Sequence, residues 1–387
     1  MNQNFEFYCP TRIYFGKNSI ENLEKELAKY GKKVLFLFGF SSIKKIGLYD
    51  KVMEILNKAG KEVFVCDKVM PNPTYEKVQE ACKICKDNNI DLILAVGGGS
   101  VIDCAKAIAA STYQEDSWNY FWIEGNPIKN KVIPIGTILT MTGTGSEMNG
   151  GSVITNNDVK LKKGHVFEDK NIPQFSILDP EYTYTVSEYQ MLSGIFDIFS
   201  HLMEQYFSDN EDSVSDYLLE GLMRCLIHNT PLCIKNPKDY SARSNIMWTS
   251  TMALNRLVGL SKTQDWEVHS IEHQISAYTD CAHGMGLAAI SVAYYRHVYK
   301  YGLPQFVKFA VNVWNVNPTG KSDEEIAQEG INRLEQFMAN NKLKVHLQSL
   351  GCTEEMLPLI AGSADINPVA YKPMTKEEIL EILKESF

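Results

Sequence analysis

Asp197 and His201 stand four residues apart in Ser187–Phe207, a segment whose apolar periodicity predicts a helix. That step puts both side chains on one face, about 5–6 Å apart at Cβ, near enough to chelate one metal ion. His269 and His273 repeat the step inside a predicted helix Trp266–Tyr278, and His283 follows in what reads as a short turn, Cys281–Gly286. Four of the eight histidines thus fall in three segments of the second half, beside an acid set in the apolar run Ile195–Phe199. A carboxylate in such a run needs a partner to offset its desolvation, and a divalent cation shared with imidazoles is one. An ion pair with Lys or Arg, the histidines lying at the surface, is the other. The clustering favours the metal. Glu272 partly echoes the HExxH motif, but Ser270 occupies the place of its glutamate, which argues against a zinc protease.

A second kind of chemistry is suggested by Leu92–Val96, an apolar strand-like run that leads through Gly97-Gly98-Gly99-Ser100 into the helical Val101–Lys106. Strand, glycine turn and helix start come in the order that a diphosphate site needs, because backbone N–H groups at the helix start point at the anion. The bland alternative is a helix cap, since Ser100 and Asp103 fit the [ST]-x-x-[DE] pattern. Three successive glycines exceed what a cap requires and favour the cofactor. Thr140–Glu147, with hydroxyls interleaved with Gly143 and Gly145, is a second loop that could face a polar ligand.

These segments are positioned by two different architectures. Short apolar runs (Val34–Phe38, Val63–Val65, Leu92–Val96, Val132–Ile135) alternate with helical patterns around Tyr49–Ala59, Tyr75–Asn88 and Val101–Ala110, which predicts a parallel sheet covered by helices. After Tyr184 the segments Ser187–Phe207, Ser213–His228, Ala242–Val258, Trp266–Tyr278, Met285–Tyr299 and Glu324–Asn340 all carry helical periodicity. Pro180 closes the last strand, and the expected domains are residues 1–185, α/β, and 186–387, all-α. Trp118, Phe121, Trp122, Trp248, Trp266 and Tyr278 could line an apolar pocket, although aromatics so placed more often build a core.

With 387 residues, 44% hydrophobic and 22% charged, the chain can bury two cores. Its formal net charge of -9 opposes nucleic-acid binding, which relies on Lys and Arg to neutralise phosphates. No basic segment followed by an apolar one opens the chain, and no apolar run is long enough for a membrane, so a cytoplasmic protein is expected. The nine cysteines are scattered and odd in number, and the lone Cys82–Cys85 pair lies on a predicted helix; all read as reduced thiols.

The sequence resembles the iron-containing, or group III, alcohol dehydrogenases, most closely the butanol dehydrogenase and broad aldehyde reductase branch. The resemblance runs through Pro10–Gly16, Pro71-Asn72-Pro73, the Gly97–Lys106 loop, Thr144–Glu147, Leu178–Thr185 and Trp266–Leu287. It implies a Rossmann-like N-terminal domain and an all-α C-terminal domain, the fold shared with dehydroquinate synthase. It further implies one divalent metal, Fe²⁺ or Zn²⁺, on Asp197, His201, His269 and His283, with His273 uncoordinated beside nicotinamide and substrate. Cofactor contacts are implied at Gly98, Gly99, Ser100 and Asp103 around the diphosphate, at Thr140, Thr144 and Asn149 by the nicotinamide, at Lys163 and Tyr182 by a ribose, and at Gly39, Ser41, Ser42 and Asn72. The chain departs from its nearest relatives at Gly39-Phe40-Ser41-Ser42, where they carry a glycine run followed by Ser. A homodimer or higher homo-oligomer is implied as well.

The expected chemistry is hydride exchange between a nicotinamide and a small alcohol or aldehyde polarised by the metal. NADP(H) is favoured over NAD(H), because Phe38–Ser42 offers no acid to bind a ribose 2′-hydroxyl while Lys44 and Lys45 add positive charge. Two rivals are a metal-dependent lyase of the dehydroquinate synthase type, which needs a more basic pocket than the sequence reveals, and a non-catalytic nucleotide- or metal-binding protein.

Overall fold

The computed structural model describes residues 4–208 and 213–387. By contacts the chain divides into one unit of residues 8–186 and another of 187–387, with which residues 4–7 cluster.

The first unit contains β1 (Arg12–Phe15), β2 (Lys33–Phe38), β3 (Glu62–Cys66), β4 (Leu92–Gly97), β5 (Ile135–Leu139), β6 (Gly151–Asn156), β7 (Leu161–Val166) and β8 (Phe175–Leu178). Six of them form a sheet in the order β1-β8-β5-β4-β2-β3, in which every pairing is parallel. Strand β4 is buried along its whole length and β2 over all but its first residue, as unbroken apolar runs must be in a sheet covered on both faces. Helices α1 (Leu48–Lys58), α2 (Tyr75–Asn88) and α3 (Gly99–Ser111) connect these strands. After β2 the chain places β3 on one side and β4 on the other, so the strand order reverses between β2 and β4. The carboxyl ends of that pair flank the crevice where open α/β sheets take ligands.

The strand expected at Val132–Ile135 instead begins at Ile135 and runs to Leu139. Pro134 has no N–H to donate, and pairing starts after it, with the Pro134 carbonyl accepting from Ile93 N–H at 3.0 Å. Strand β1 and the antiparallel β6–β7 hairpin had no counterpart among the expected strands. Trp118, Phe121 and Trp122 are buried against one another and Phe167, with ring centroids 5.2–6.0 Å apart, and so fill the core of this unit rather than a pocket.

The second unit is built from α4 (Glu188–Tyr206), α5 (Val214–Lys235), α6 (Tyr240–Ala253), α7 (Glu267–Thr279), α8 (His283–Val298), α9 (Asp323–Asn340), α10 (Lys376–Glu385) and shorter turns, with no strand among its described residues. Three elements differ from expectation. Helix α5 continues through Pro231, just after Asn229 and Thr230 side chains have bonded back to the Cys225 and Leu226 carbonyls. Helix α6 stops at Ala253 rather than Val258, and Arg256 beyond it has a left-handed φ of 75°. His283 opens α8 instead of lying in a turn. Among the described residues no helix is long and apolar enough to cross a membrane.

Candidate metal and cofactor sites

Helix α4 is buried from Met191 to Tyr206, and its Ser187 cap accepts from Gln190 N–H. A helix apolar nearly all round is a core helix. Asp197, His201 and Glu204 break that pattern on one face, at steps of four and three residues. The start of α7 is drawn to this face: Asp265 N–H donates to the Glu204 carbonyl at 3.0 Å, and His269 N–H to the Glu204 carboxylate at 3.2 Å. A carboxylate satisfies the free amides of a helix start and complements its dipole. The start of α8 is held as closely. Gly284 N–H donates to Ser193 Oγ at 3.1 Å, and any Cβ at position 284 would collide with the Ser193 carbonyl. A residue other than glycine there would push His283 away from α4.

Three helices thereby bring three imidazoles to one oxygen. Asp197 Oδ1 lies 3.4 Å from His201 Nε2, 3.6 Å from His269 Nε2 and 3.5 Å from His283 Nε2. The donor atoms of Asp197, His269 and His283 all lie within 4.8 Å of one another, and His201 joins them through Asp197. Asp197 Oδ1 and His269 Nε2 are buried without a hydrogen-bond partner. Glu204 takes the Nδ1 of His269, and Glu272 that of His283. His273 is half-buried, its ring centroid 5.7 Å from that of His283 and 6.3 Å from that of His269. Side-chain exposure rises from 5% at Asp197 and His201 through 10% at His269 to 25% at His283, so the cluster opens on the side of His283.

Electrostatics match this geometry. Burial would raise the Asp197 pKa, but the surrounding histidines outweigh it and hold the carboxyl well below the usual range. Burial pushes His201 down to about 4. At His269 the same desolvation is overcome by Glu204 and Asp197, which carry the imidazole up to about 10. Trp266, at a left-handed φ of 60°, packs its ring edge-on against both, with centroids 5.9 Å from His201 and 5.3 Å from His269.

In the first unit the expected cofactor residues gather at the carboxyl ends of neighbouring strands: Gly39, Ser41 and Ser42 after β2, Gly98 to Ser100 after β4, Thr140, Thr144 and Asn149 after β5, and Tyr182 after β8. Asn72 follows β3 at a left-handed φ of 53°, and Lys163 faces Ile154 across the β6–β7 hairpin. The capping box that Ser100 and Asp103 offered as the alternative does not form: α3 starts at Gly99 with no side-chain cap and no acid in its first turn. The glycines also have a local cause. A Cβ at Gly97 would overlap Val101, and one at Gly99 would overlap Thr144.

Asp103 faces inward. Its carboxylate accepts from Ser146 Oγ at 2.5 Å and Val153 N–H at 3.0 Å. Lys106, which the sequence reading passed over, is fully buried and donates to Ser146 Oγ, Asn149 Oδ1 and the Gly151 carbonyl at 2.7–3.0 Å, with Asp103 4.0 Å away. Burial lowers its pKa to about 8. The only signal in the sequence was the i, i+3 pair of charges in an otherwise apolar helix. This network welds α3 to the loop after β5, joining the two glycine turns. Lys106→Met should lower the unfolding free energy by about 3 kcal/mol, as loss of one member of a buried charged pair does. Urea unfolding measures the effect. An unchanged urea midpoint would leave the network without a role in stability.

The chain is similar to known proteins over its length. The family model for iron-containing alcohol dehydrogenase matches residues 10–180, and that for the C-terminal part of the Fe-containing alcohol dehydrogenase family matches residues 191–387. A probable NADH-dependent butanol dehydrogenase 1 of Bacillus subtilis is 42% identical over 99% of this chain and 100% of that protein. The NADPH-dependent aldehyde reductase YqhD of Escherichia coli is 35% identical over 92% of each. The crystal structure of NADH-dependent butanol dehydrogenase A from Thermotoga maritima superposes with a TM-score of 0.93 at 36% identity, covering 99% of this chain and 98% of that one.

Proposed function

Because the chain belongs to the iron-containing alcohol dehydrogenase family and is an NAD(P)-dependent enzyme that interconverts alcohols and aldehydes, we propose that its substrates are short-to-medium-chain primary alcohols, such as butanol, and their aldehydes. One divalent metal, Fe²⁺ or Zn²⁺, is held by Asp197, His201, His269 and His283. The observation that carries this reading is the convergence of three Nε2 atoms on Asp197 Oδ1 at 3.4–3.6 Å. Ligands about 2.0–2.2 Å from a metal at tetrahedral angles stand about 3.3–3.6 Å from one another, and the three distances from Asp197 Oδ1 fall in that range. Buried atoms without hydrogen bonds at Asp197 and His269 fit such a centre. Iron accords with the family and zinc with the affinity order for nitrogen-rich sites.

When bound, the metal supplies Lewis-acid polarisation of the substrate oxygen and the nicotinamide supplies the hydride. The protein's part is to aim the three imidazoles, to leave the more exposed His283 side open for substrate, and to place His273 there without making it a ligand. Gly98, Gly99 and Ser100 at the uncapped start of α3 would take the diphosphate through backbone N–H groups, with Asp103 holding the helix in place behind them. Thr140, Thr144 and Asn149 would line the nicotinamide side, Lys163 and Tyr182 a ribose, and Gly39, Ser41, Ser42 and Asn72 the adenosine side.

NADPH is the proposed preference, although butanol dehydrogenases named for NADH stand among the relatives. Support comes from Gly39–Lys45, which holds no acid and exposes Ser41, Ser42, Lys44 and Lys45. Lys44 Nζ rests 5.4 Å from the centroid of Phe38 and 5.1 Å from that of Tyr49, which fixes its charge at the end of β2. Butanal-dependent oxidation of NADPH and of NADH by the purified protein tests both points. Steady turnover is expected, with the higher kcat/KM for NADPH. A clear NADH preference would reverse the cofactor assignment, and no turnover with any primary aldehyde would reverse the substrate class. A cytoplasmic homodimer or larger homo-oligomer completes the proposal.

A further inference from the structure

We infer that Glu204 and Glu272 are positioning residues of the metal centre, which aim two of its imidazoles and raise their basicity; this rests on the metal reading above. Both carboxylates are fully buried. Each bonds the Nδ1 of one histidine, which fixes the tautomer and leaves Nε2 as the donor atom. Hydroxyls hold the carboxylates in turn, Ser200 Oγ at Glu204 at 2.7 Å and Ser276 Oγ at Glu272. The bracing passes from helix to helix: Glu204 of α4 holds His269 of α7, and Glu272 of α7 holds His283 of α8. His201 shares α4 with Asp197, and its buried Nδ1 has no hydrogen-bond partner. The histidines that come from other helices are the two that are braced.

Charge gives the pair a second effect. A divalent ion with Asp197 leaves one positive charge, and two further carboxylates behind the imidazoles make the buried cluster singly negative. Each carboxylate therefore favours the loaded state, and losing such a partner commonly costs 10–100-fold in metal affinity.

Glu204→Gln and Glu272→Gln keep an oxygen that accepts from Nδ1–H while removing the charge. The test loads metal-stripped protein with Zn²⁺ against a competing chelator, records the Co²⁺ absorption spectrum, and follows folding by circular dichroism. Each variant should stay folded and raise the Zn²⁺ dissociation constant 10–100-fold. Saturating Co²⁺ should still give the intense bands of a four-coordinate ion. Glu220→Gln is the control: Glu220 is a buried acid of the same unit that accepts from Tyr206 and Asn312, and its loss should leave Zn²⁺ affinity unchanged. If a Gln variant does not fold, Glu204→Asp and Glu272→Asp, which retain the charge but withdraw it from Nδ1, take its place with the same expected weakening. Unchanged affinity in folded variants would overturn the inference. A wild-type protein that binds no stoichiometric Zn²⁺ would instead overturn the metal reading beneath it.

Discussion

Replacing Asp197 by alanine should abolish bound metal and turnover together. Asp197 Oδ1 is the one atom that all three Nε2 donors face, at 3.4–3.6 Å. In the proposed centre its removal takes away the anionic ligand and leaves three imidazoles, two of them buried, with no charge to offset that of a metal ion. The loss should exceed that of a single neutral ligand, because the carboxylate is the ligand of the proposed centre that offsets the charge of a divalent ion. His283→Ala should likewise lose metal and activity, but by a different route: it removes a ligand at the open side and leaves Glu272 buried without its imidazole. Metal content of the purified variants, measured alongside butanal-dependent NADPH oxidation, checks both. Full metal occupancy in either variant would take that residue out of the site.

The helical unit was legible because its ligands follow the helical period. Asp197 and His201 share a face whatever α4 packs against, and the same holds for His269 and His273. What the sequence could not display was the pairing between helices. Glu204 meets a histidine 65 positions away, and nothing local separates it from an ordinary acid near a helix end. The sheet divides in the same manner. Continuous apolar runs revealed β2 and β4, whereas β1 is four residues long and β7, Leu-Lys-Lys-Gly-His-Val, has neither an apolar run nor alternation. Pro134 displaced β5 by removing a ladder donor, a local cue masked by the apolar run Val132–Ile135. The glycine turn was recognised for its order in the chain, but its flexibility was the wrong explanation. None of Gly97, Gly98 and Gly99 has a positive φ, and tight packing on Val101 and Thr144 accounts for two of them. The absence of a side-chain cap on α3 is the stronger argument for an anion there, and it follows from Asp103 facing Ser146 and Val153, which lie 43 and 50 positions away.

His273→Ala should keep its metal and lose turnover by roughly 10²–10⁴-fold, the range for a group that moves a proton in the transition state. Its four-residue step from His269 would let both reach one ion, since adjacent helical turns can share a ligand. Their distances from Asp197 favour different roles. Asp197 Oδ1 has His201, His269 and His283 around it, and a fifth protein donor would fill the position that the substrate oxygen needs. His273 instead groups with Glu272 and His283, with donor atoms within 4.8 Å, on the more exposed side of the cluster. Imidazole is the side chain whose ordinary pKa suits it to carry the proton that accompanies hydride transfer near neutral pH. Turnover and metal content must be read together. If His273→Ala loses its metal, the residue is a ligand and the centre has a different coordination. If it keeps both metal and full turnover, the imidazole only orients its surroundings. His273→Gln discriminates further: it retains hydrogen bonding but cannot gain and lose a proton near neutral pH, so it should be as slow as the alanine variant if proton transfer is the role.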